Sequence, residues 1–189
     1  MASYADTTHS LSKNRKNKDI TNNVVNRFIE LKPYDEEISA LYSMTSSDKF
    51  HKDNKLGTYK MESKDKRGVL FLVNIIKYSG GTRYGANHDK KFLLELFDCM
   101  GFKIFYYEDI NYAQYTNLID QLIRSNHLDN IECFVLGILA QDCNIHNMKY
   151  VCFIDENPIN IEEIYNRFNN INCKTLINKP KIFLFPICR

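Results

Sequence analysis

The thiol of Cys188 is the side chain in this sequence best placed to do chemistry. Residues 179–189 pass from a polar Lys-Pro-Lys turn into an apolar run, and the cysteine follows that run. The pattern predicts a buried parallel strand that carries a thiol at its C-terminal end, where sites lie in open α/β sheets. A thiol nucleophile needs a base beside it, because a free thiol with a pKa of about 8.5 is only slightly ionised at neutral pH.

Two histidines are candidates for that base. His146 stands in the polar stretch Asn-Ile-His-Asn, and His88 follows a loop that contains glycines. We expect both to be loop or surface residues, because a catalytic base has to be held on a rigid support. A loop rearrangement that brings His146 to Cys188 is the alternative. We expect neither a metal nor a cofactor.

The remaining cysteines are predicted to be free thiols in the core: Cys99, Cys133, Cys143, Cys152 and Cys173. The chain has no C-x-x-C pair, no paired cysteine spacing and no apolar N-terminal segment. This usage of cysteine favours a reducing compartment, the cytosol or the nucleus. We therefore predict a cytoplasmic location.

Composition bounds the function classes. The chain has 189 residues, 44% of them hydrophobic, which is enough for one substantial core with an appendage. Its 25 Lys and Arg nearly balance its 23 Asp and Glu, so charge does not favour nucleic acid or a membrane surface as the partner. No apolar run approaches the length of about 18 residues that a spanning helix needs.

The N-terminal part of the chain is predicted to stand outside the folded domain. Residues 1–19 are polar and basic and are typical of a flexible tail. Residues 20–44 predict two short amphipathic helices broken near Pro33, and residues 45–58 predict a loop. The resulting division is a flexible, partly helical segment over 1–58 and a folded domain over 59–189.

Apolar runs and helical periodicities alternate through that domain. We predict strands over residues 69–73, 102–107, 133–139 and 182–187, with helices over 87–100, 112–124 and 161–168. A hairpin-like excursion passes through residues 151–154. Alternation of this kind predicts an α/β fold, with an open, mostly parallel sheet and helices on both faces.

The residues in this domain resemble the large subunit of a caspase. The matching positions, in chain order, are Tyr59-Lys60-Met61, Arg67-Gly68 with Asn74, Arg83 with Gly85 and Asp89, Gly101-Phe102, Lys179-Pro180-Lys181 with Phe183, and Cys188-Arg189. The resemblance runs from Tyr59 to Arg189. It implies a caspase-like sheet that lacks the strands contributed by the small subunit.

The resemblance also assigns the site, and the departures fall on its chemistry. Cys188 takes the position of the nucleophile, and Gln141 takes that of the histidine, which the family keeps about 50 residues upstream. A glutamine amide cannot accept a proton from a thiol near neutrality. Asp142 replaces the glycine whose backbone N–H forms half of the oxyanion hole, and a carboxylate there repels a developing oxyanion. The resemblance thus implies an inert thiol.

Arg83 matches the arginine that helps hold the substrate's aspartate in the family, a role that suits the guanidinium fork. The alternative is an arginine that only anchors the loop from Gly80 to Gly85. The second contributor to that pocket, a glutamine in the family, is Pro186 here. Arg83 and Pro186 therefore represent a remnant of a pocket for aspartate.

Without a small subunit, the last strand is predicted to be an open sheet edge that a partner covers. Its residues are Ile182, Phe183, Leu184, Phe185 and Ile187. Pro186 removes one backbone donor and weakens this edge. We interpret the end at Arg189, with no aspartate nearby, as a natural terminus and not a product of self-processing.

Three hypotheses of function follow. The leading one is a pseudoenzyme that binds caspases or their activators as a decoy and inhibits apoptosis. The second is the large subunit of an Asp-specific cysteine protease, active only with a small subunit supplied in trans. The third is a structural or virion-associated protein. The resemblance leaves a homodimer or a separate small-subunit chain open as partners. The abundance of Asn, Ile and Lys and the short reading frame suggest similarity to caspase-like genes of large insect viruses, which implies a role in the host cytoplasm.

Overall fold

The fold is taken from a computed structural model. The structure describes residues 28–38, 59, 61, 63, 66–145 and 148–188, without the side chains of 142–145, 148–149 and 187–188. Three predicted features lie outside the described residues: the tail over 1–19, the loop over 45–58 and His146.

Strands and helices alternate along the described chain as the sequence predicts. The strands are β1 Gly68–Asn74, β2 Lys77–Tyr78, β3 Gly81–Thr82, β4 Phe102–Glu108, β5 Cys133–Ile145, β6 Met148–Cys152, β7 Pro158–Asn160, β8 Lys181–Leu184 and β9 Ile187–Cys188. The helices are α1 Ala86–Cys99, α2 Tyr112–Arg124 and α3 Ile161–Arg167. Short 3-10 turns span Asn126–Leu128 and Lys174–Leu176.

The principal sheet is mostly parallel. β1 pairs in parallel with β4 on one side and with β5 on the other, and β5 pairs in parallel with β8 and β9. The far end of β5 pairs antiparallel with β6, which pairs antiparallel with β7. The predicted sheet and the predicted hairpin-like excursion are therefore confirmed.

Alternation along β1 places its side chains in two cores, one on each face of the sheet. Val69, Phe71 and Val73 pack with residues of α2 and α3, whereas Leu70 and Leu72 pack with residues of α1. All of these side chains are fully buried. A strand that is apolar on both faces is the signature of a sheet covered on both sides, so the prediction of helices on both faces is confirmed.

Two strands differ from their predicted limits. β5 does not end at Leu139 but continues to Ile145, because its last residues pair with the returning β6. The closing strand, predicted as one element, is divided into β8 and β9 with Phe185 and Pro186 between them. Proline has no N–H to donate to a ladder, which explains a break at this point.

The prediction of helices in the N-terminal segment is wrong over residues 28–38. These residues are not helical; they lie along β4 and α2. The backbone N–H of Tyr34 donates to the carbonyl oxygen of Ile104 at 2.8 Å, and that of Leu31 donates to Oε1 of Gln121 at 2.9 Å. Backbone groups bonded to neighbouring elements in this way cannot also close helical turns.

The expectation of free core cysteines is partly wrong. Cys133 and Cys173 are free and buried, as predicted, but Cys99 is exposed at the end of α1 and Cys152 is disulfide-bonded. Spacing along the chain does not report which thiols a fold brings together, so the sequence carried no signal for this bond. No helix in the described part has the length and apolar character needed to cross a membrane.

Candidate active site

The predicted site residues gather at the C-terminal edge of the parallel strands. Asn74, the last residue of β1, lies level with Leu139 of β5. Two residues further along β5, the backbone of Gln141 lies opposite that of Cys188 in β9. Neighbouring strands are about 4.8 Å apart, so the two positions are adjacent across the sheet. The backbones of Cys188 and Gln141 therefore lie side by side at the same edge of the sheet.

Gln141 is a half-buried residue whose carbonyl has lost its contact with water. Its Oε1 atom is buried and accepts no hydrogen bond from the part of the chain that the structure describes. The amide can donate or accept a hydrogen bond, but it cannot take a proton from a thiol. The side chains of Asp142 and Cys188 lie outside the described part, so the oxyanion and nucleophile assignments stay predictions.

Neither of the described histidines lies where a base for the Cys188 thiol would have to be. His127 lies at the opposite edge of the sheet, with Nδ1 3.0 Å from Nζ of Lys103 at the start of β4. Burial and the neighbouring Lys103 lower the pKa of His127. His88 is exposed in the first turn of α1. Neither of these two imidazoles is placed on the strand end that carries Gln141.

Arg83 lies beneath the surface, only 5% exposed, in the loop that connects β1 to α1. Its Nε donates to the carbonyl oxygen of Ile75 at 3.2 Å, and one terminal nitrogen donates to Oδ1 of Asn74 at 2.5 Å. The other terminal nitrogen donates to Oδ2 of Asp89 at 2.7 Å. All three guanidinium nitrogens are thus bonded to the protein, and Pro186, which is exposed, takes no part in this set.

Asn74 is the polar centre of this arrangement, and the sequence alone did not assign it a role in the site. It is fully buried, and its Nδ2 lies 3.3 Å from the carbonyl oxygen of Ala86 and 3.1 Å from the hydroxyl of Tyr106. One polar residue at the end of an otherwise apolar strand is the signal that could have identified Asn74. No sequence pattern marks Tyr106 as its partner.

The predicted open edge is β8. Within the described residues this strand pairs with β5 alone, and Ile182 on it is 45% exposed. Phe183 packs against Tyr165 of α3 with ring centroids 4.8 Å apart, and Phe185 lies 6.1 Å from the same ring. Leu184 packs against the core on the α1 face. The side chain of Ile187 lies outside the described part.

The described charged side chains near the site point to no bound metal, and they include an internal ion pair. Among the described residues, no group of three or more His, Cys, Asp and Glu side chains is arranged to hold a metal ion. The site contains an internal ion pair between the buried Arg83 and the partly exposed Asp89. A guanidinium desolvated to this degree is stable only with such a partner.

Comparison with known proteins agrees with this geometry. Residues 67–189 match the family model described as "Caspase domain". Caspase Dronc of Drosophila melanogaster is 38% identical over 136 residues, which cover 71% of this chain and 30% of Dronc. Mouse Caspase-6 is 28% identical over 154 residues, which cover 77% of this chain and 53% of that protein.

A solved structure extends the match to three dimensions. The crystal structure of the Drosophila initiator caspase Dronc superposes with a TM-score of 0.76 and 34% sequence identity, over 84% of this chain and 63% of that one. The chain therefore spans about a third to a half of the length of these curated relatives. With the sheet, the order of its elements and the family match in agreement, this chain belongs to the caspase family and carries the large-subunit-like part of its fold.

Proposed function

We propose that this chain is a catalytically inactive member of the caspase family that restrains apoptosis by binding caspases or their activators as a decoy. The observation that carries the proposal is the register of Gln141 with Cys188. Cysteine proteolysis needs a group beside the thiol that takes the thiol proton and returns it to the leaving amine. An amide performs neither step.

The state of Arg83 supports the same conclusion. A pocket for aspartate needs a guanidinium with donors free to meet an incoming carboxylate. Here three of the five N–H donors of Arg83 bond to Asn74, Ile75 and Asp89, and the residue is buried. The arginine serves the loop, and the substrate would have to compete with an internal carboxylate. Recognition of an aspartyl peptide is therefore weak, as expected of a decoy that works through its surface.

The open edge of β8 supports binding to another protein. An unpaired strand with exposed apolar side chains is a template for strand addition, and native proteins usually cover such edges. Among the described residues, Ile182 of this strand is exposed, Phe183 is half-buried beside it, and the half-buried ring of Phe185 follows the strand. A caspase, a caspase activator, a second copy of this chain or a separate small-subunit chain would each cover the edge. We place this activity in the cytoplasm, which is the host cytoplasm if the gene is viral.

Two measurements test the proposal. The purified chain is assayed with a fluorogenic aspartyl peptide, with and without a separately expressed caspase small subunit. The same chain is then used to capture caspases from an extract of apoptotic cells. We expect no cleavage of the peptide, with or without the small subunit, and capture of at least one caspase. Cys188→Ala should behave as the wild type in capture and in a cell-death readout.

The second candidate is an Asp-specific protease assembled with a small subunit in trans. The retained cysteine opposite Gln141 and the uncovered β8 edge favour it. Cleavage that appears only when the small subunit is added, and that disappears in Cys188→Ala, would replace the decoy proposal with this one. Capture of neither a caspase nor a caspase activator, together with no cleavage, would rule out both proposals and would favour a structural role.

A further inference from the structure

Residues 28–38, which we call the strap, lie against the outer strand of the sheet. The strap is bound at three successive points along β4 and α2. Gln121 of α2 bonds to two residues of the strap: its Oε1 accepts from the N–H of Leu31 at 2.9 Å, and its Nε2 donates to the carbonyl oxygen of Ile29 at 3.0 Å. The hydroxyl of Tyr107 accepts from the N–H of Lys32 at 2.9 Å. Tyr34 then bonds by its N–H to β4.

The ring of Tyr34 connects the strap to the polar centre of the site. It meets the ring of Tyr106 edge to face, with centroids 5.7 Å apart. The hydroxyl of Tyr106 bonds to Nδ2 of Asn74, and Oδ1 of Asn74 accepts from Arg83. Each contact is between neighbouring side chains. They form a continuous path from the strap to the loop over residues 75–85, which we call the site loop.

We propose that the strap positions the site loop through Tyr106, so that release of the strap loosens the loop. Asn74 is the joint in this path because its amide is fully buried and is bonded at both ends. Loss of the Tyr106 hydroxyl leaves Nδ2 with only the long bond to Ala86, and the amide is then free to rotate away from Arg83. Tyr106 is a positioning residue in this scheme.

The site loop presents two aromatic rings at the surface. Tyr84 at its end is fully exposed, and Tyr78 within it is 36% exposed. Exposed aromatic rings on a loop held by a rigid scaffold are typical anchors of protein interfaces. A partner or a protease that acts on the N-terminal segment would therefore change the order of this surface. The coupling goes beyond the proposed function and holds whether or not the chain captures caspases.

Other bonds also hold the loop, and they limit the expected effect. Oδ1 of Asp109 accepts from the N–H groups of Ile76 and Lys77 at 2.7 and 2.9 Å. The N–H of Arg83 donates to the carbonyl oxygen of Ile76 at 2.7 Å. Tyr106 is not a partner in any of these bonds. Release of the strap should therefore increase opening of the loop without unfolding it.

Amide hydrogen exchange on the full chain tests the coupling. Tyr106→Phe keeps the ring and removes the hydroxyl, and Tyr34→Ala removes the ring contact. We expect both to speed exchange of the Ile76, Lys77 and Arg83 amides about threefold to tenfold, which corresponds to loss of one buried hydrogen bond of about 0.7–1.4 kcal/mol. Tyr34→Phe is the matched control, because it removes only the bond to Glu36 and should leave loop exchange unchanged.

Two outcomes would overturn the proposal. In the first, Tyr34→Ala speeds exchange in the strap and β4 while the site loop is unchanged, so that the strap protects only its own strand. In the second, the β1 and β5 amides accelerate by the same factor as the loop amides, so that the variants act on global stability alone. Neither outcome bears on caspase capture, so failure here is distinct from failure of the decoy proposal.

Discussion

Replacement of Arg83 by methionine separates a structural arginine from a remnant of a substrate pocket. The side chain is 3% exposed, and it bonds to Asn74, to the Ile75 carbonyl and to Asp89. Methionine fills most of the aliphatic volume but donates no hydrogen bond. If these three hydrogen bonds anchor the loop, the substitution must reduce the free energy of unfolding substantially.

The expected loss can be worked out from the partners that Arg83→Met leaves behind. Oδ1 of Asn74 is fully buried and the Ile75 residue is 4% exposed, so each loses a bond with little access to water. An unsatisfied buried group of this kind costs about 1–3 kcal/mol. The carboxylate of Asp89 is 42% exposed and regains solvation, so its contribution is small. With about 1.5 kcal/mol for each of the two buried groups, the sum is about 3 kcal/mol.

Urea unfolding of the full chain, followed by circular dichroism, measures this loss. With a slope of about 1–3 kcal/mol per molar, a loss of about 3 kcal/mol should lower the midpoint by about 1–3 M. Arg124→Met is the matched control, because Arg124 is 80% exposed and lies 3.9 Å from Asp120, and exposed pairs contribute about 0–1 kcal/mol. If Arg83→Met costs no more than this control, Arg83 does not anchor the loop and the argument is wrong.

Three further predictions concern other parts of the fold. Phe185→Asp places a charge against the aromatic ring of α3, so we expect loss of folding or of caspase capture, with Phe185→Leu retaining both in circular dichroism and pull-down. Burial and Lys103 lower the pKa of His127 from 6.5, so the unfolded chain binds a proton at this residue more readily than the folded chain does. The free energy of unfolding should therefore rise with pH in the window below 6.5, and His127→Gln should flatten that rise in urea titrations. Gly68→Ala would put a Cβ 2.3 Å from a ring carbon of Phe102 and should cost about 1–3 kcal/mol, seen as a lower melting temperature.

Local patterns were sufficient for most elements of the sheet and helices. The predicted helix over 112–124 is confirmed at both ends, and the structure shows why its start is sharp. The side chain of Asn111 accepts from the N–H of Gln114, and the side chain of Gln114 bonds back to the N–H of Asn111. A capping signal of this kind is local. The capping bonds therefore form wherever the segment lies in the fold.

The strand alignment at the site follows from the resemblance to the caspase family. The resemblance predicts that Gln141 and Cys188 lie close together, and their backbones do pair. The resemblance does not describe the burial of the Gln141 carbonyl, which results from packing of segments remote in sequence.

The sequence by itself determined the fold class and the alternation of strands and helices, because each depends on residues close together in the chain or on their order. Only the tertiary structure decided that Arg83 is bonded internally, that the last strand is divided at Pro186 and that residues 28–38 form a strap. These features depend on contacts between segments far apart in the chain, such as Leu31 with Gln121. Periodicity and propensity carry no information about which distant polar groups will satisfy one another.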